Sequence, residues 1–400
     1  MKKLIPVFAL ILLSVGFIAS ASAQDATATS TPPAFKPHWS FNGQLFADYY
    51  YMMSADTTSG KGYNGPQGSY YYEPKSNGDN KRYYQAFDMR RVQFGANYYF
   101  TKDITAKVLL EHESAYPGGD VLADGKSGFY AKEASLTFSN WIPLANVILG
   151  QQAMNLFSVD EGLWGYRGVE KSILDFRGAT ETGSNDLGVQ VQGNFVKSGD
   201  FSYSAALVNS NNSSKVEDVK DKVIAGQLTG KFLNQHLVID LTGDYAGVPN
   251  TTAIVGTDTV RNLSEANSLW KVAVAYASNP ITVGIVYANH TYGGQSFSVA
   301  GNDRVQSALS IFAHGEIIPK ALNAFARYDM FDPDKNAKDN SAGRKENFIV
   351  AGLDWLPEGK DAPNVHIDPN IEIDSFTDKG SQGLSYEPIT VLRLTFFDKF

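Results

Sequence analysis

The sequence contains no cysteine, which excludes disulfides, thiolate metal ligands and cysteine nucleophiles. It also lacks long apolar runs: beyond residue 24, no stretch approaches the roughly 18 apolar residues of a transmembrane helix. No long amphipathic helix is evident, and charged residues make up only 19% of the chain. These absences exclude a helical membrane protein beyond residue 24 and a disulfide-bonded domain.

Positive charge is scarce relative to negative charge. The chain has 34 basic and 42 acidic residues, for a formal net charge of −8. An acidic chain repels phosphate backbones, so we expect no nucleic-acid partner.

The first 23 residues have the pattern of a secretory signal peptide. A basic start, Met-Lys-Lys, precedes an apolar run from Leu4 to Ile18, and Ala21 and Ala23 match the small-x-small cleavage pattern. We expect cleavage before Gln24, followed by a flexible polar leader over residues 24–37. The alternative is a membrane-anchor helix, for which the run is short.

The remaining chain is rich in Tyr, Phe and Gly, and apolar residues alternate repeatedly with polar ones. The alternation is clearest over 187–195, 237–245, 281–287 and 392–396, and it predicts strands with one apolar and one polar face. Sixteen candidate strands lie near residues 41–53, 83–100, 104–115, 128–138, 146–153, 186–195, 201–209, 222–232, 237–246, 268–277, 281–291, 304–315, 322–331, 346–355, 364–374 and 387–400.

Short and long connections alternate between these strands. Short ones fall at 101–103, 196–200, 233–236 and 278–280, whereas long ones include 54–82, 116–127, 154–185, 210–221, 247–267, 292–303, 332–345 and 375–386. This pattern is typical of an outer-membrane barrel with periplasmic turns and extracellular loops. We therefore predict an all-β fold, a transmembrane antiparallel up-and-down β-barrel over residues 38–400. The alternative is a soluble β-sandwich or solenoid.

Several segments resemble one known family. They are FDMRRVQFGANYYFTKDITAKVLLEHE (87–113), AKEASLTF (131–138), VILGQQ (147–152), RGVEKSILDFRG (167–178), NDLGVQVQG (185–193) and FARYDMFDP (325–333). Together they resemble the phosphate-selective porin family (O/P-type) of outer-membrane porins. The resemblance implies a sixteen-stranded trimeric porin whose third loop folds into the pore. It does not imply phosphate as the solute, since this chain has only ten arginines and no arginine ladder.

If the apolar faces meet lipid, the alternate residues line the pore. The predicted pore wall comprises Asp88, Arg90, Arg91, Lys107, Glu111, Arg327, Asp329, Asp368, Glu372, Asp374 and Arg393, and the same register turns Glu113, Glu133, Lys231, Asp240, Asp244 and Lys271 inward. The segment 366–374 puts His366, Asp368, Asn370, Glu372 and Asp374 on one polar face. Any of these charges also has the simpler interpretation of a solvated or paired lumen residue.

The apolar phase slips by one residue at Arg90–Arg91. Phe87 and Met89 occupy odd positions, whereas Val92 and Phe94 occupy even ones. A β-bulge resets the register in this way. It would let both arginines face the lumen beside Asp88, since an arginine in mid-bilayer costs about 2–4 kcal/mol.

The connection 154–185 is long and charged, and it also contains Trp164 and Tyr166. Long loops in compact domains are usually functional or disordered. We predict a constriction loop folded against the inner wall, the alternative being an ordinary extracellular loop. Its charged members are Asp160, Glu161, Arg167, Glu170, Lys171, Asp175 and Arg177.

The sequence gives little support to catalysis. The six histidines lack metal-ligand spacing, and no serine lies in a nucleophile-elbow context. We therefore expect a non-enzymatic porin in the bacterial outer membrane, a channel for passive diffusion of small hydrophilic or ionic solutes, without cofactor or metal. The expected partners are the lipid bilayer, two further copies of the chain and, through Phe400, the barrel-assembly machinery. A structural or adhesive barrel and an outer-membrane hydrolase are the alternatives.

Overall fold

The computed structural model describes residues 35–54, 83, 85–113, 128–177, 180, 183–210, 222–247, 251–255, 258–263, 266–293, 302–338, 344–359, 364–377 and 387–400. The strands are β1 (His38–Ser54), β2 (Gln85–Tyr99), β3 (Ile104–Glu113), β4 (Tyr130–Ile142), β5 (Ala145–Ala153), β6 (Asn185–Asn194), β7 (Phe201–Val208), β8 (Val223–Phe232), β9 (Leu237–Ala246), β10 (Thr251–Val255), β11 (Asp258–Leu263), β12 (Asn267–Ser278), β13 (Ile281–Tyr292), β14 (Arg304–Ile318), β15 (Leu322–Asp332), β16 (Lys345–Trp355), β17 (Val365–Thr377) and β18 (Ile389–Lys399). Two short helices, α1 (Ser158–Trp164) and α2 (Ile173–Phe176), lie between β5 and β6.

Sixteen of these strands close into one antiparallel barrel. Each pairs with its neighbours in chain order, β9 pairs directly with β12, and β1 pairs with β18. The closing seam is long, since it runs from Gln44 opposite Lys399 to Ser54 opposite Thr390. Closure leaves no strand edge unpaired, which is the condition for a sheet to cross lipid.

The predicted sixteen-stranded barrel is confirmed. Every predicted strand is present, with bounds that differ by a few residues because strand ends fray. Two features were not predicted. Strands β10 and β11 form a separate two-stranded sheet within the predicted loop 247–267, and α1 and α2 lie within the predicted loop 154–185.

The outer face of the barrel carries the apolar side chains. Its middle exposes aliphatic residues such as Val108, Leu136, Val189, Ile285, Ile311 and Ile349. Aromatic side chains cluster near the short turns, where Trp39, Phe41, Phe100, Trp141, Phe195, Phe201, Tyr276 and Trp355 are exposed. A second set, at the opposite end, comprises Tyr83, Phe87, Phe129, Tyr245 and Trp270. An apolar band between two aromatic girdles is the surface that a bilayer requires of a barrel.

The predicted β-bulge lies in β2. Phe46 pairs with Arg91 but Asp48 pairs with Asp88, so Ala47 is opposed by two residues, Met89 and Arg90. The bulge is thus one residue earlier than the sequence indicated. Its consequence is the predicted one, because Phe87 is 83% exposed on the outer face whereas Arg90 and Arg91 are 6% and 4% exposed.

The packed core lies inside the barrel, between the inner wall and the segment that joins β5 to β6. One apolar cluster joins Leu156, Phe157 and Leu174 of this segment to inward-facing residues of the wall. A second cluster surrounds Trp164, Val169 and Phe176. Among the described residues, no helix is long and apolar enough to span a membrane.

Part of the sequence lies outside the described residues. It includes the predicted signal peptide 1–23, residues 24–34 of the predicted leader, and most of the long loops 54–82, 116–127, 210–221, 292–303 and 375–386. The predictions for those segments stay predictions.

Candidate functional site: an internal loop on a charged wall

The segment between β5 and β6 is here called the internal loop (residues 154–184), and its described residues 154–177 lie inside the barrel. It leaves the long-loop end after Ala153 and returns to β6 at Asn185. Its side chains contact β12 and β15, and its backbone accepts hydrogen bonds from β2 and β18. The prediction that this loop enters the lumen is therefore confirmed.

The loop rests on the wall through large apolar side chains. Trp164 is 1% exposed, and its ring packs edge-on against Phe312 and Phe325, with centroids 5.9 Å away in both cases. The Arg327 guanidinium lies 4.9 Å from the Trp164 ring centre, within the range of a cation–π interaction. Burial of this size holds the loop at a fixed place in the lumen.

The backbone of the loop is held by two arginines of the wall. Nη1 of Arg90 and Nη1 of Arg393 each donate a hydrogen bond to the Val169 carbonyl oxygen, at 2.8 Å. Arg90 also donates to the Gly168 carbonyl. Each arginine has a carboxylate partner, Asp48 at 2.8 Å for Arg90 and Glu372 at 2.6 Å for Arg393. Carbonyl acceptors and carboxylates together compensate the burial of both guanidinium groups.

Helix α1 is fixed by a buried ion pair. Asp160 accepts from Lys271 on β12, and both side chains are 0% exposed. Lys271 also donates to the Leu156 carbonyl at 2.5 Å and lies 3.5 Å from Asp240. Burial raises the pKa of Asp160, and the neighbouring ammonium opposes that shift. Since the side chains have no access to water, this pair is an anchor rather than a contact for solutes.

Helix α2 is fixed in a similar way to β16, which lies four strands from β12 around the barrel. Arg177, at its C-terminal end, forms an ion pair with Glu346 of β16, and both side chains are buried. The Arg177 guanidinium stacks on the Phe176 ring, 3.7 Å from its centre. Asp374 is buried beside this pair and interacts electrostatically with both of its members.

Four charged side chains of the loop keep partial access to the lumen: Glu161, Arg167, Lys171 and Asp175. Arg167 pairs with Glu161 and with Asp175, the latter at 2.8 Å. Lys171 reaches Glu113 on β3 at 2.8 Å, and Glu113 also binds Arg91. On the adjoining wall, Lys132 and Arg91 share the fully buried Glu111. We call these eight residues the charged network: Arg91, Glu111, Glu113, Lys132, Glu161, Arg167, Lys171 and Asp175.

Two carboxyl groups of the charged network, those of Asp175 and Glu161, have pKa values that are shifted in opposite directions. Burial opposes ionisation of Asp175, but Lys171 and Arg167 outweigh it and lower the pKa of that group. Burial raises the pKa of Glu161 although Arg167 opposes the shift, and the charges of Asp175 and Asp160 add to it. Asp175 is therefore an ionised site at any ordinary pH, whereas Glu161 takes up a proton more readily than a free glutamate.

The other predicted wall residues also face the interior. Lys107 pairs with Glu133 at 2.8 Å, and Arg327 pairs with Asp329 at 3.0 Å. Asp88 is half-buried in β2 opposite the inward-facing Asp48. Glu170 of the loop is buried, its Oε1 accepting from the Lys171 backbone N–H at 2.8 Å, so it supports the loop rather than facing the lumen.

Asp368 belongs to a separate group at the short-turn end of the lumen. Asp354 of β16 and His366 of β17 are hydrogen-bonded at 2.8 Å, and Asp368 lies within 4.8 Å of both. A cavity of about 550 Å³ opens beside them, between Gly165 and Tyr166 of the loop and the short turns. Asp354 also accepts from Asn323 at 2.8 Å.

Sequence reasoning missed several inward-facing residues. They are Asp48, Lys132, Glu346 and Asp354. Asp48 precedes the aromatic run 49–51, which indicates a strand end at the membrane interface rather than a residue of the pore wall. Asp354 lies in a strand whose alternation was recognised, so counting alternate positions from Leu353 would have turned it inward. Lys132 has the same parity as the outward-facing Leu136, and it turns inward because the register between β3 and β4 shifts at this residue.

No protein-family model matches the sequence, and no curated protein matches it. Among solved structures, the chain is similar to the anion-selective porin from Comamonas acidovorans, with a TM-score of 0.58 and 12% identity over 91% of this chain and 100% of that chain. The outer membrane channel DcaP of Acinetobacter baumannii gives a TM-score of 0.57 and 14% identity over 92% and 99% of the two chains. The trimer form of OmpT, an outer membrane protein of Vibrio cholerae, gives 0.53 and 12% over 91% and 99%. The barrel fold is therefore one found in bacterial outer-membrane proteins, porins among them.

Proposed function

We propose that this protein is a porin, a water-filled channel for passive diffusion of small hydrophilic or ionic solutes. The observation that carries the proposal is the internal loop, seated across the interior of a closed barrel with four charged side chains partly accessible to water. A loop anchored on opposite sides of the lumen narrows the passage, and charge at the narrowest point selects ions. No covalent chemistry or cofactor takes part.

The proposed location is the bacterial outer membrane. The apolar band with its two aromatic girdles matches a bilayer, and the N-terminal signal pattern supports export. In this orientation the short turns face the periplasm and the long connections face outward. The terminal Phe400 is then the residue that the barrel-assembly machinery would read.

Three copies of the chain are proposed to associate. The resemblance to phosphate-selective porins (O/P-type) favours a trimer, and one similar solved structure is a trimer form. The same resemblance is supported by the internal loop and by the bulged Arg90–Arg91 strand. Phosphate is not proposed as the solute, since the guanidinium groups of Arg90 and Arg393 are committed to carboxylates and to the loop backbone.

We propose no catalytic role. His366 and Asp354 form the one imidazole–carboxylate pair that lines the cavity at the short-turn end. Within the described residues, His366 makes no hydrogen bond to a serine or threonine hydroxyl, which acyl transfer by a triad would require.

The test is single-channel recording of the purified protein in planar bilayers, with reversal potentials measured across a salt gradient. We expect discrete conductance steps in KCl. Reversing the two partly accessible cations of the internal loop, as Arg167→Glu with Lys171→Glu, is expected to shift the reversal potential toward cation selectivity. Lys102→Glu, which changes an exposed charge in the short turn after β2, is the matched control and is expected to leave it unchanged.

Folded protein without conductance would overturn the proposal. If the protein conducts but the loop substitutions leave its selectivity unchanged, the channel function is supported and the proposed role of the internal loop is contradicted. Folding is checked separately, by the slower gel mobility of the unheated barrel, so that a misassembled variant is not mistaken for a closed channel.

A further inference from the structure

Asp354 and Asp368 lie opposite each other on neighbouring strands. The register of β16 and β17 pairs Gly352 with Asn370 and Trp355 with Ile367, which aligns Asp354 with Asp368. Both side chains are 2% exposed. Like charges directly opposite in a sheet are destabilising, so this arrangement needs a compensating group.

Basic side chains compensate seven of the other inward acids. Asp48, Glu111, Glu133, Asp240, Asp329, Glu346 and Glu372 each have a lysine or arginine within ion-pair distance. In the part of the chain that the structure describes, neither Asp354 nor Asp368 has one. The buried Asp368 Oδ1 also has no hydrogen-bond partner there.

An imidazole completes the group. His366 lies on the same face of β17 as Asp368, and its Nδ1 lies 2.8 Å from Asp354 Oδ1. The three side chains offer one nitrogen and two carboxylate donors within 4.8 Å of one another. In a tetrahedral Zn²⁺ site, with metal–ligand distances of about 2.0–2.2 Å, the donor atoms lie about 3.4 Å apart, so the side chains would rotate toward one another on binding.

We propose that Asp354, His366 and Asp368 bind a divalent transition-metal cation, of which Zn²⁺ is the representative, at the short-turn end of the lumen. One imidazole with two carboxylates suits such cations, whereas Ca²⁺ and Mg²⁺ prefer shells of oxygen alone. Water from the adjoining cavity supplies the remaining coordination position.

Surrounding groups orient the ligands. Asn323 donates to Asp354 Oδ2 at 2.8 Å, and the Tyr166 hydroxyl lies 3.5 Å from the same oxygen. Hydrogen bonds of this kind fix the orientation of a metal-binding carboxylate. Because Tyr166 belongs to the internal loop, the bound cation would also be linked to the position of that loop.

The experiment is equilibrium binding to the purified full-length protein in detergent, freed of metal with EDTA. Zn²⁺ is titrated calorimetrically, and Co²⁺ absorption reports the ligand field. We expect one Zn²⁺ per chain, with affinity reduced at least about tenfold in Asp368→Asn and in His366→Gln. Glu316→Gln, which removes a carboxylate from the same cavity, is the matched control and is expected to bind as the unsubstituted chain does.

Thermal unfolding gives a second readout. Zn²⁺ is expected to raise the Tm of the unsubstituted protein and to leave the Tm of Asp368→Asn nearly unchanged. Absence of binding to the unsubstituted protein, or equal binding in all three variants, would overturn the proposal. Neither measurement depends on conductance, so the test of the metal site is independent of the test of the channel function.

Discussion

Arg90 and Arg393 donate to the same carbonyl oxygen, that of Val169, each at 2.8 Å. One arginine lies on β2 and the other on β18, so they flank β1 from its two sides. The middle of the internal loop is thus held by the two strands next to the strand that closes the barrel.

Replacing Arg393 and Glu372 together by Met removes both members of a buried ion pair and should loosen the loop. A hydrogen bond to a charged group contributes about 1.5–3 kcal/mol, and Arg90 still holds Val169. We expect increased open-channel noise, with a small increase in mean conductance, in bilayer recordings. Lys107→Met with Glu133→Met is the matched control, because it removes a wall ion pair that forms no hydrogen bond or ion pair with the described residues of the internal loop. Equal noise in both double variants would contradict the docking role of Arg393.

Lys271→Met should destabilise the protein strongly. It leaves Asp160 and Asp240 buried without their cation, and breaking a buried pair in this way costs about 3–5 kcal/mol. Urea-induced unfolding in lipid vesicles measures the loss. The double variant Lys271→Met with Asp160→Ala is expected to lose less than the sum of the single variants, because the two residues interact directly. Additive losses would show that the pair does not anchor α1.

Channel selectivity should depend on pH through Glu161. Burial raises the pKa of Glu161, whereas Lys171 and Arg167 lower that of Asp175. As the pH falls, Glu161 gains a proton before Asp175 does, and the charged network becomes more positive. We expect reversal potentials to move toward anion selectivity as the pH is lowered.

Two variants isolate that titration. Glu161→Gln should already show the shifted potential at pH 8 and should flatten the pH profile. Asp175→Asn should shift the reversal potential at every pH but leave the dependence of the reversal potential on pH unchanged. A profile unaffected by Glu161→Gln would assign the titration to another group.

Gly150→Ala should impair barrel assembly. Gly150 has φ +120°, a conformation that side chains rarely adopt, and an added Cβ would meet the Ala134 backbone of the neighbouring strand. Such backbone strain costs about 1–3 kcal/mol, and the clash adds to it. Gly162→Ala is the matched control, because nothing lies within 4 Å of its added Cβ and Ala favours α1. The yield of folded protein on unheated gels measures the difference.

The sequence was sufficient to predict the strands because each has one face on lipid and one on the lumen. That environment imposes a period of two on every strand, and even the bulge at Met89–Arg90 appears as a slip in that period. Hairpin β10–β11 was missed because it is short and lies within a long polar connection. Propensity alone rarely identifies such strands.

The partners of the internal loop were not predictable in the same way. Trp164 and Lys271 each stand out in the sequence, but nothing there indicates that Lys271 meets Asp160 or that Trp164 meets Phe325. Those pairings depend on the stagger of strands around the closed barrel and on the path of a loop across it. Individual lumen charges can be read from alternation, whereas their ion pairs require the three-dimensional arrangement.

The two hydrogen bonds to the Val169 carbonyl also have a consequence for the order in which the barrel and the internal loop assemble. Arg90 is synthesised early and Arg393 near the end of the chain, and Asp48 of β1 links their two strands by binding Arg90 and accepting from Thr395 of β18 at 2.7 Å. We therefore expect the internal loop to reach its final position only when β18 has paired with β1. Closure of the barrel and narrowing of its interior by the internal loop are then one event. A barrel in which β18 has not yet paired lacks Arg393, one of the two arginines that hold the loop in place.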